Sequence, residues 1–545
     1  MRAKTFALIV AIALLIPQPV DGTQAASDEE PELLTLARQR FEELSPADEK
    51  LFRAVAKGEL ANYSAGAKEK DDPAKAPEWS EERVLKSDRI AWLCTDPRAS
   101  RLVTHRGIGV KGARIDGVLE LRFAKIPFPL YLERCALPAG LNLLHGEILG
   151  LNLKGTHSGP IVAEGLKTVA GVFLHNGFKA KGEVSLQDAI IRGRLSCADG
   201  RFIKLGGKAL LANGIDVGGS VLLRDGFWAQ GEVNLVRAKI GGCLDCTGGK
   251  FINPKGTALN ADGLRVEGDI FLRNEFEAEG VVDFKGARIS GYLVWKDALW
   301  PTKVTMDLRS ATIGTLWDNK PTWPQSGRIF LHGLVYNEIY DLALLDIQDR
   351  IEWLRRQPTQ PFRPQPYEQL AAVLRKAGHE EDARRILIAK EKDRARLTRM
   401  PVLKRCGHAL LGLVVGYGYR PWRAFWIGLV VVAVGSVLFG IGSRNGLLTP
   451  TKKEGYASEG AEDHQVYYPK FNTVVYSLDA FVPLIVLHQA SYWLPNATRG
   501  KELSKLKWFR LRTGGLLRLY LWFHIILGWV LSTLFVVGLS GLIRT

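Results

Sequence analysis

Val233-Asn234-Leu235-Val236-Arg237-Ala238-Lys239-Ile240-Gly241-Gly242-Cys243-Leu244 is the stretch that decides the fold. The same frame stands 49 residues earlier, as Val184-Ser185-Leu186 through Ala189 to Leu195. The consensus is x-V-x-L-x-x-A-x-I-x-G-x-L. The 49-residue step recurs in Val172-Phe173-Leu174, Val221-Leu222-Leu223 and Ile270-Phe271-Leu272. A finer period lies inside it. Ala189-Ile190-Ile191 is followed by Asn213-Gly214-Ile215, Ala238-Lys239-Ile240, Asp262-Gly263-Leu264, Ala287-Arg288-Ile289 and Ala311-Thr312-Ile313, in steps of 24 and 25. A short fixed period with apolar residues in register means one unit stacked on copies of itself.

Apolar and polar residues alternate with period two, the pattern of short strands with one face inward. Gly193, Gly242 and Gly291 mark bends between them. The pattern predicts a right-handed β-helix of about 24 residues per coil, with two short strands and two turns in each. It occupies residues 89–325 and dominates from about Ile108 to Asp318, the earlier copies such as Ala113-Arg114-Ile115 being less regular. The longer loops Arg201–Lys208 and Lys250–Thr257 are expected to project from one side. Trp295, Trp300, Trp317 and Trp323 gather where the repeat ends, as in a bulky capping coil.

Outward from the repeat the composition changes. Arg2 and Lys4 precede an apolar run, Phe6–Ile16, and small residues follow, so residues 1–25 read as a signal peptide. Residues 26–88 are polar and partly helical, with Leu33, Leu34, Phe41, Leu51, Phe52 and Val55 at helical spacing. Residues 326–400 form a helical linker and hairpin: an amphipathic helix over Ile339–Arg356, then Tyr367–Leu397 turning at Ala377-Gly378. Residues 401–545 are a membrane domain. Its spans are 424–441 and 516–542, and 471–494 is either a third span or a re-entrant helix.

The chain has 545 residues and a formal charge of +16. Basic residues crowd Arg384–Arg423 and Arg499–Arg518, beside apolar segments. This favours the lipid bilayer as partner, and no nucleic-acid motif accompanies the charge. Asp479, His488 and His524 stand inside apolar segments, where ionisable groups are costly and are functional candidates. Asp479 and His488 are nine residues apart, which on a helix places them on opposite sides. Cys243 and Cys246 have redox spacing, weighed against a role as small core residues, since Cys246 stands 49 after Cys197. Cys406 and His408 lack further ligands, so no metal or cofactor is expected. Asp188, Asp225, Asp245 and Glu267 do not recur at one rung, as a polysaccharide-cleaving coil requires. No catalytic order of Ser, His and Asp is present.

Ala at one core position with Ile or Leu two later, as in Ala238-Lys239-Ile240, resembles the pentapeptide-repeat superfamily in a loose form. Gln365-Pro366-Tyr367-Glu368-Gln369-Leu370 and Tyr476-Ser477-Leu478-Asp479 extend the likeness to uncharacterised bacterial membrane proteins with such repeats. That resemblance implies the label of membrane-associated oxidoreductase, which no dinucleotide fingerprint supports. Span, short helix, span is similar to two-span channel pore modules. Ala490-Ser491-Tyr492-Trp493-Leu494-Pro495 stands in the filter's place without its glycines, and Gly416-Tyr417-Gly418 precedes the first span.

The expected function is a membrane-anchored β-helix scaffold or sensor of the bacterial envelope, without evident catalysis. The alternatives are a channel-like assembly gated by the β-helix and a membrane-associated oxidoreductase. The expected location is the inner membrane, multi-pass, with the β-helix exported. Basic residues on the solenoid side run against the positive-inside rule, but large domains translocate with little regard to charge. An envelope protein or polysaccharide and further copies of the chain are the partners expected beside the bilayer.

Overall fold

The computed structural model describes residues 30–66, 69–299, 302–341, 346–452, 468–483, 485–506 and 509–540. The signal-peptide segment, Trp300 and the end of the 516–542 segment lie outside the described residues.

The repeat folds as a parallel β-solenoid of about ten turns, about 23 residues each. One ladder runs Ile126, Ile148, Thr168, Ile191, Val217, Ile240, Val266, Ile289, Ile313, Tyr336, every step parallel. The earlier turns carry four short strands, not the two expected, and later turns merge two of the sides into one longer strand such as Trp228–Asn234. In one turn they are Val172–Phe173, Lys179–Lys181, Val184–Ser185 and Ile190–Ile191. Their inward residues come in pairs: Val172 and Leu174, Phe178 and Ala180, Val184 and Leu186, Ala189 and Ile191, all at most 1% exposed. Two inward residues per side keep the strands of this turn short before the chain bends. One corner recurs in left-handed backbone at Asp188, Gly214, Arg237 and Gly263. The bend glycines serve differently. A Cβ on Gly242 would lie 2.9 Å from the Ser220 nitrogen of the turn below, so close approach is what requires glycine there.

The finer period also differs in register. Ile191 pairs with Val217, not Ile215, and Val217 with Ile240, so the steps along this ladder are 26 and 23. The extra residues sit in the long strands Arg201–Leu211 and Lys250–Asn260. Register shifts there fall between Ile203 and Lys208 and between Ile252 and Thr257. Leu205, Pro254 and Lys255 are exposed on these bulges. The 49-residue unit is thus one long and one short turn. The 24 and 25 steps belong instead to a stack of buried rings: Phe178, Phe202, Phe227, Phe251 and Phe276, with centroids 5.2–5.4 Å apart.

Strand pairing extends beyond residues 89–325 at both ends. Leu60–Asn62 pairs with Gly109–Lys111, and Val84–Lys86 with Arg114–Asp116. Helices α1 (Glu32–Arg40), α2 (Pro46–Lys57), α3 (Ser87–Thr95) and α4 (Pro97–Leu102) pack over this first turn. Ser45 and Asp48 form a capping box on α2, and Arg89 of α3 reaches buried Asp48 at 3.4 Å.

At the other end, Ile339 finishes the strand Val335–Ile339 rather than starting a helix. Helix α5 (Ile347–Arg355) begins later, capped by Asp346. Arg350 of α5 makes a buried two-pronged ion pair with Asp318, at 2.6 and 3.0 Å, and Asp318 also accepts the Trp323 indole N–H at 2.7 Å. Helices α6 (Gln365–Lys376) and α7 (Glu380–Leu397) make the hairpin, with Gly378 in left-handed backbone at its turn. The last turn's backbone is covered by side-chain amides of α6. The Gly333 N–H donates to Gln365, which donates to the Leu334 carbonyl, and Gln369 donates to the Tyr336 carbonyl. An open parallel edge would otherwise template another chain.

Four further helices follow: α8 (Val402–Val415), α9 (Trp422–Arg444), α10 (Thr473–Phe481) and α11 (Gln489–Tyr492). The last is α12 (Thr513–Ser540). Among the described residues, α9 and α12 are long and apolar enough to cross a membrane.

Candidate functional site

The side chains that sequence reading singled out converge, in part, where α10 lies between α9 and α12. Helix α9 buries Ala424, Gly428, Val432, Gly435, Phe439 and Gly442, a seam of three- and four-residue steps. Helix α12 buries Leu517, Leu521, His524, Gly528, Leu531 and Gly538 in the same rhythm. Both seams are narrow and rich in small residues, which let backbones approach. Outside them the helices expose Trp426, Val430, Val437, Trp522, Phe523, Ile526 and Trp529.

Helix α10 fits the space these glycines leave. A Cβ on Gly435 would lie 2.7 Å from His524 Cε1, and one on Gly528 would strike the Phe481 carbonyl. Thr473 lies against Gly440 and Phe481 against Gly428, so α10 runs antiparallel to α9, its eight steps covering about 12 Å at 1.5 Å per residue. The chain then returns. The Asn472 N–H donates to Gln489 Oε1 at 3.2 Å, and Trp493–Pro495 pairs antiparallel with Leu448–Pro450. The 471–494 segment therefore enters and leaves at the same end of the helix pair.

His524 is fully buried. Its Nε2–H donates to the Ser477 carbonyl at 3.0 Å, which leaves Nδ1 to accept from the Tyr520 hydroxyl at 3.4 Å. The Ser477 hydroxyl donates to the Val432 carbonyl at 2.9 Å. These bonds tie all three helices together. Asp479 is half-buried, and each of its oxygens accepts a backbone N–H of the returning chain, Leu487 at 2.6 Å and Ala490 at 2.7 Å. His488 sits between those two residues, exposed and in left-handed backbone. Asp479 thus shapes the loop that carries His488, and Ile485, Val486 and Leu487 of that loop are exposed. Ser477, Tyr520 and the glycine seam escaped sequence reading. The seven-residue steps Gly428, Gly435, Gly442 are the signal by which the seam is legible, and no such signal marks Ser477 or Tyr520.

The cysteines lie elsewhere. Cys246 points into the solenoid core, on the same ladder as Cys197, and burial pushes its thiol well up. Cys243 is half-exposed at a corner, where the Asp269 N–H approaches its sulfur at 3.5 Å. Both thiols are free. His408 rests on the Tyr417 ring and contacts Glu391 at 3.3 Å, while Cys406 is exposed. Gly416, Tyr417 and Gly418 are all in left-handed backbone and form the turn from α8 into α9. Asp188 and Asp225 turn corners, Asp225 and Asp245 flank the Arg224 guanidinium at 3.2 and 3.1 Å, and Glu267 accepts from the Ser290 hydroxyl at 3.3 Å.

The chain's class by structure is a capped parallel β-solenoid joined to a three-helix apolar unit. Compared with protein-family models, curated proteins and solved structures, the chain gives no match.

Proposed function

We propose that this chain is a membrane-anchored β-solenoid of the bacterial envelope that works as a scaffold or sensor. The solenoid offers its outer faces to an envelope protein or polysaccharide. Helices α9 and α12 cross the inner membrane, and α10 re-enters between them. One observation carries the membrane part of this reading. Both long helices bury only a narrow seam, in which glycines alternate with larger residues, and leave Trp, Phe, Val and Ile outside, which suits lipid and not water. The anchored solenoid is tested by fusing a periplasm-active phosphatase or a cytoplasm-active fluorescent reporter after Gln325, after Glu459 and at Thr545. Phosphatase activity at Gln325 and Thr545 with fluorescence at Glu459 is the expected pattern. Fluorescence at Gln325 overturns the exported solenoid.

A channel-like assembly is the second reading, favoured by the re-entrant α10 segment and its exposed Ile485, Val486 and Leu487, which neighbouring copies would cover. Its test is ion flux in liposomes. Flux equal to that of empty vesicles, for wild type and Asp479→Ala alike, sinks it. The oxidoreductase reading rests on Cys243 and Cys246 alone. It fails if a Cys243→Ser, Cys246→Ser variant keeps its phenotype and thiol state.

A further inference from the structure

The ends of α9 and α12 that lie nearest the solenoid form a cleft with two chemistries. Arg384 of α7, Arg420 and Arg423 line one part, and Trp422, Trp426 and Leu539 the other. The two helix ends stand level, because a Cβ on Gly538 would lie 3.1 Å from Pro421 and the Trp422 and Phe535 rings are 5.6 Å apart. Trp422 and Trp426 are 60% and 62% exposed, the position of interfacial anchors at a span's start. Above them Arg423 is exposed and has no carboxylate partner among the described residues. Arg420 pairs with Glu381, and Arg384 meets Glu380 at 3.5 Å and Glu381 at 3.8 Å. These pairs are solvent-exposed and therefore weak, so a stronger acceptor displaces them at little cost.

We infer that this cleft binds the phosphate of an anionic phospholipid, the guanidinium groups of Arg420 and Arg423 taking its oxygens and the indoles lying along the glycerol and acyl chains. Arg suits this work because its planar donors match phosphate two at a time. Level with the solenoid-side leaflet, the site also places a lipid in competition with Glu381 for Arg420. That links lipid composition to the contact between α7 and the turn before α9. This inference rests on the membrane reading proposed above.

The test uses the full-length protein purified in a neutral detergent. Thermal unfolding is followed with added phosphatidylglycerol, phosphatidylcholine or inorganic phosphate. Phosphatidylglycerol should stabilise and the other two should not. Each Arg→Gln change at 420 or 423 should weaken the apparent affinity roughly fivefold, and the pair about twentyfold. Arg423→Lys should recover part of the loss, Glu381→Gln should tighten binding, and Arg518→Gln should leave it unchanged. Equal stabilisation by phosphatidylglycerol and phosphatidylcholine overturns the site, as does wild-type affinity in folded Arg420→Gln, Arg423→Gln protein. Stabilisation by inorganic phosphate alone assigns the cleft to a soluble anion and overturns the lipid. A chain that stays soluble without detergent and floats with no vesicle refutes the membrane reading itself.

Discussion

Breaking the Asp318–Arg350 pair should open the C-terminal end of the solenoid, and by an amount that depends on which charge is left behind. Both side chains are at most 2% exposed. Removing one partner of a buried pair costs about 3–5 kcal/mol, because the other charge stays desolvated. Asp318→Leu strands the Arg350 guanidinium between the Trp323 and Trp353 rings, 5.5 Å from each centroid, and also leaves the Trp323 indole N–H without its acceptor. It should fall at the upper end of that range. Arg350→Met leaves a carboxylate that keeps the indole donor at 2.7 Å, a bond to a charged group worth about 1.5–3 kcal/mol, and should fall at the lower end. The double variant buries no charge and should return to within about 2 kcal/mol of wild type. Amide hydrogen exchange over Val335–Ile339, read by mass spectrometry on the full chain in detergent, reports the opening of this last turn. Each single change should speed exchange roughly a hundredfold or more, and the double change far less than their product. A double variant as fast as the product of the singles would refute the reasoning. It would mean that apolar packing, such as Trp323 on Trp353 at 6.4 Å, holds the end and the ion pair is incidental.

Three further outcomes follow from the same geometry. Gly435→Ala should lower the unfolding temperature of the three-helix unit through about 1–3 kcal/mol of overpacking against His524 and Ser477. Gly407→Ala, at a helix glycine with open space around it, should be neutral or stabilising in the same melt. Asp479→Asn keeps one acceptor for two backbone donors, so exchange at residues 485–490 should rise by the loss of about 1.5–3 kcal/mol while the melt of α12 is little changed. In maleimide labelling of native protein, Cys406 should react first and Cys94 and Cys135 only on unfolding. Burial pushes both of those thiols from 9.0 up to about 12. Their folded values lie above the unfolded one, so their contribution is full below pH 9.0 and is lost as pH rises towards 12, which urea melts across that range would detect.

The solenoid was legible because the inward positions are nearly all apolar, Thr168 being one exception, and the outward ones are mostly polar. Its register was not, for a reason internal to strands. A slip of two residues keeps the same face inward, so Ile215 and Val217 are equally good partners for Ile191 by pattern alone. Only the bulges at Leu205 and Pro254 decide between them. The stacked phenylalanines lay in plain view at steps of 24 and 25, but a ring every turn reads as ordinary core until the centroids line up. In the apolar unit, the glycine steps of α9 carried the helix packing, whereas the role of Asp479 was hidden. Its partners are backbone N–H groups, which every residue owns and no sequence marks.

The contacts between the two halves of the molecule bear on how a shift of the solenoid would reach the long helices. The Arg420–Glu381 pair and the packing of Tyr419 and Tyr417 join the α6–α7 hairpin to the turn before α9. Exposed ion pairs contribute roughly 0–1 kcal/mol, too little to transmit a shift of the solenoid by themselves. Tyr419 is 6% exposed and belongs to the same apolar cluster as Tyr367, Leu370 and the solenoid core, with Tyr417 packed against its edge. Burying a side chain of that size contributes about 1.5–3 kcal/mol, several times the ion pair. Movement of the last turn can therefore pass to α9 through the tyrosines, beside the contact of His408 in α8 with Glu391 in α7 at 3.3 Å, while the arginine pair sets how readily the surface is exchanged for another anion. Beyond the turn, Pro421 lies against Gly538 of α12. A displacement of Tyr419 accordingly reaches both long helices at once, and through the Gly428–Phe481 and His524–Ser477 contacts it reaches α10. Tyr419→Ala should uncouple the halves without melting either, whereas Glu381→Gln should leave them joined.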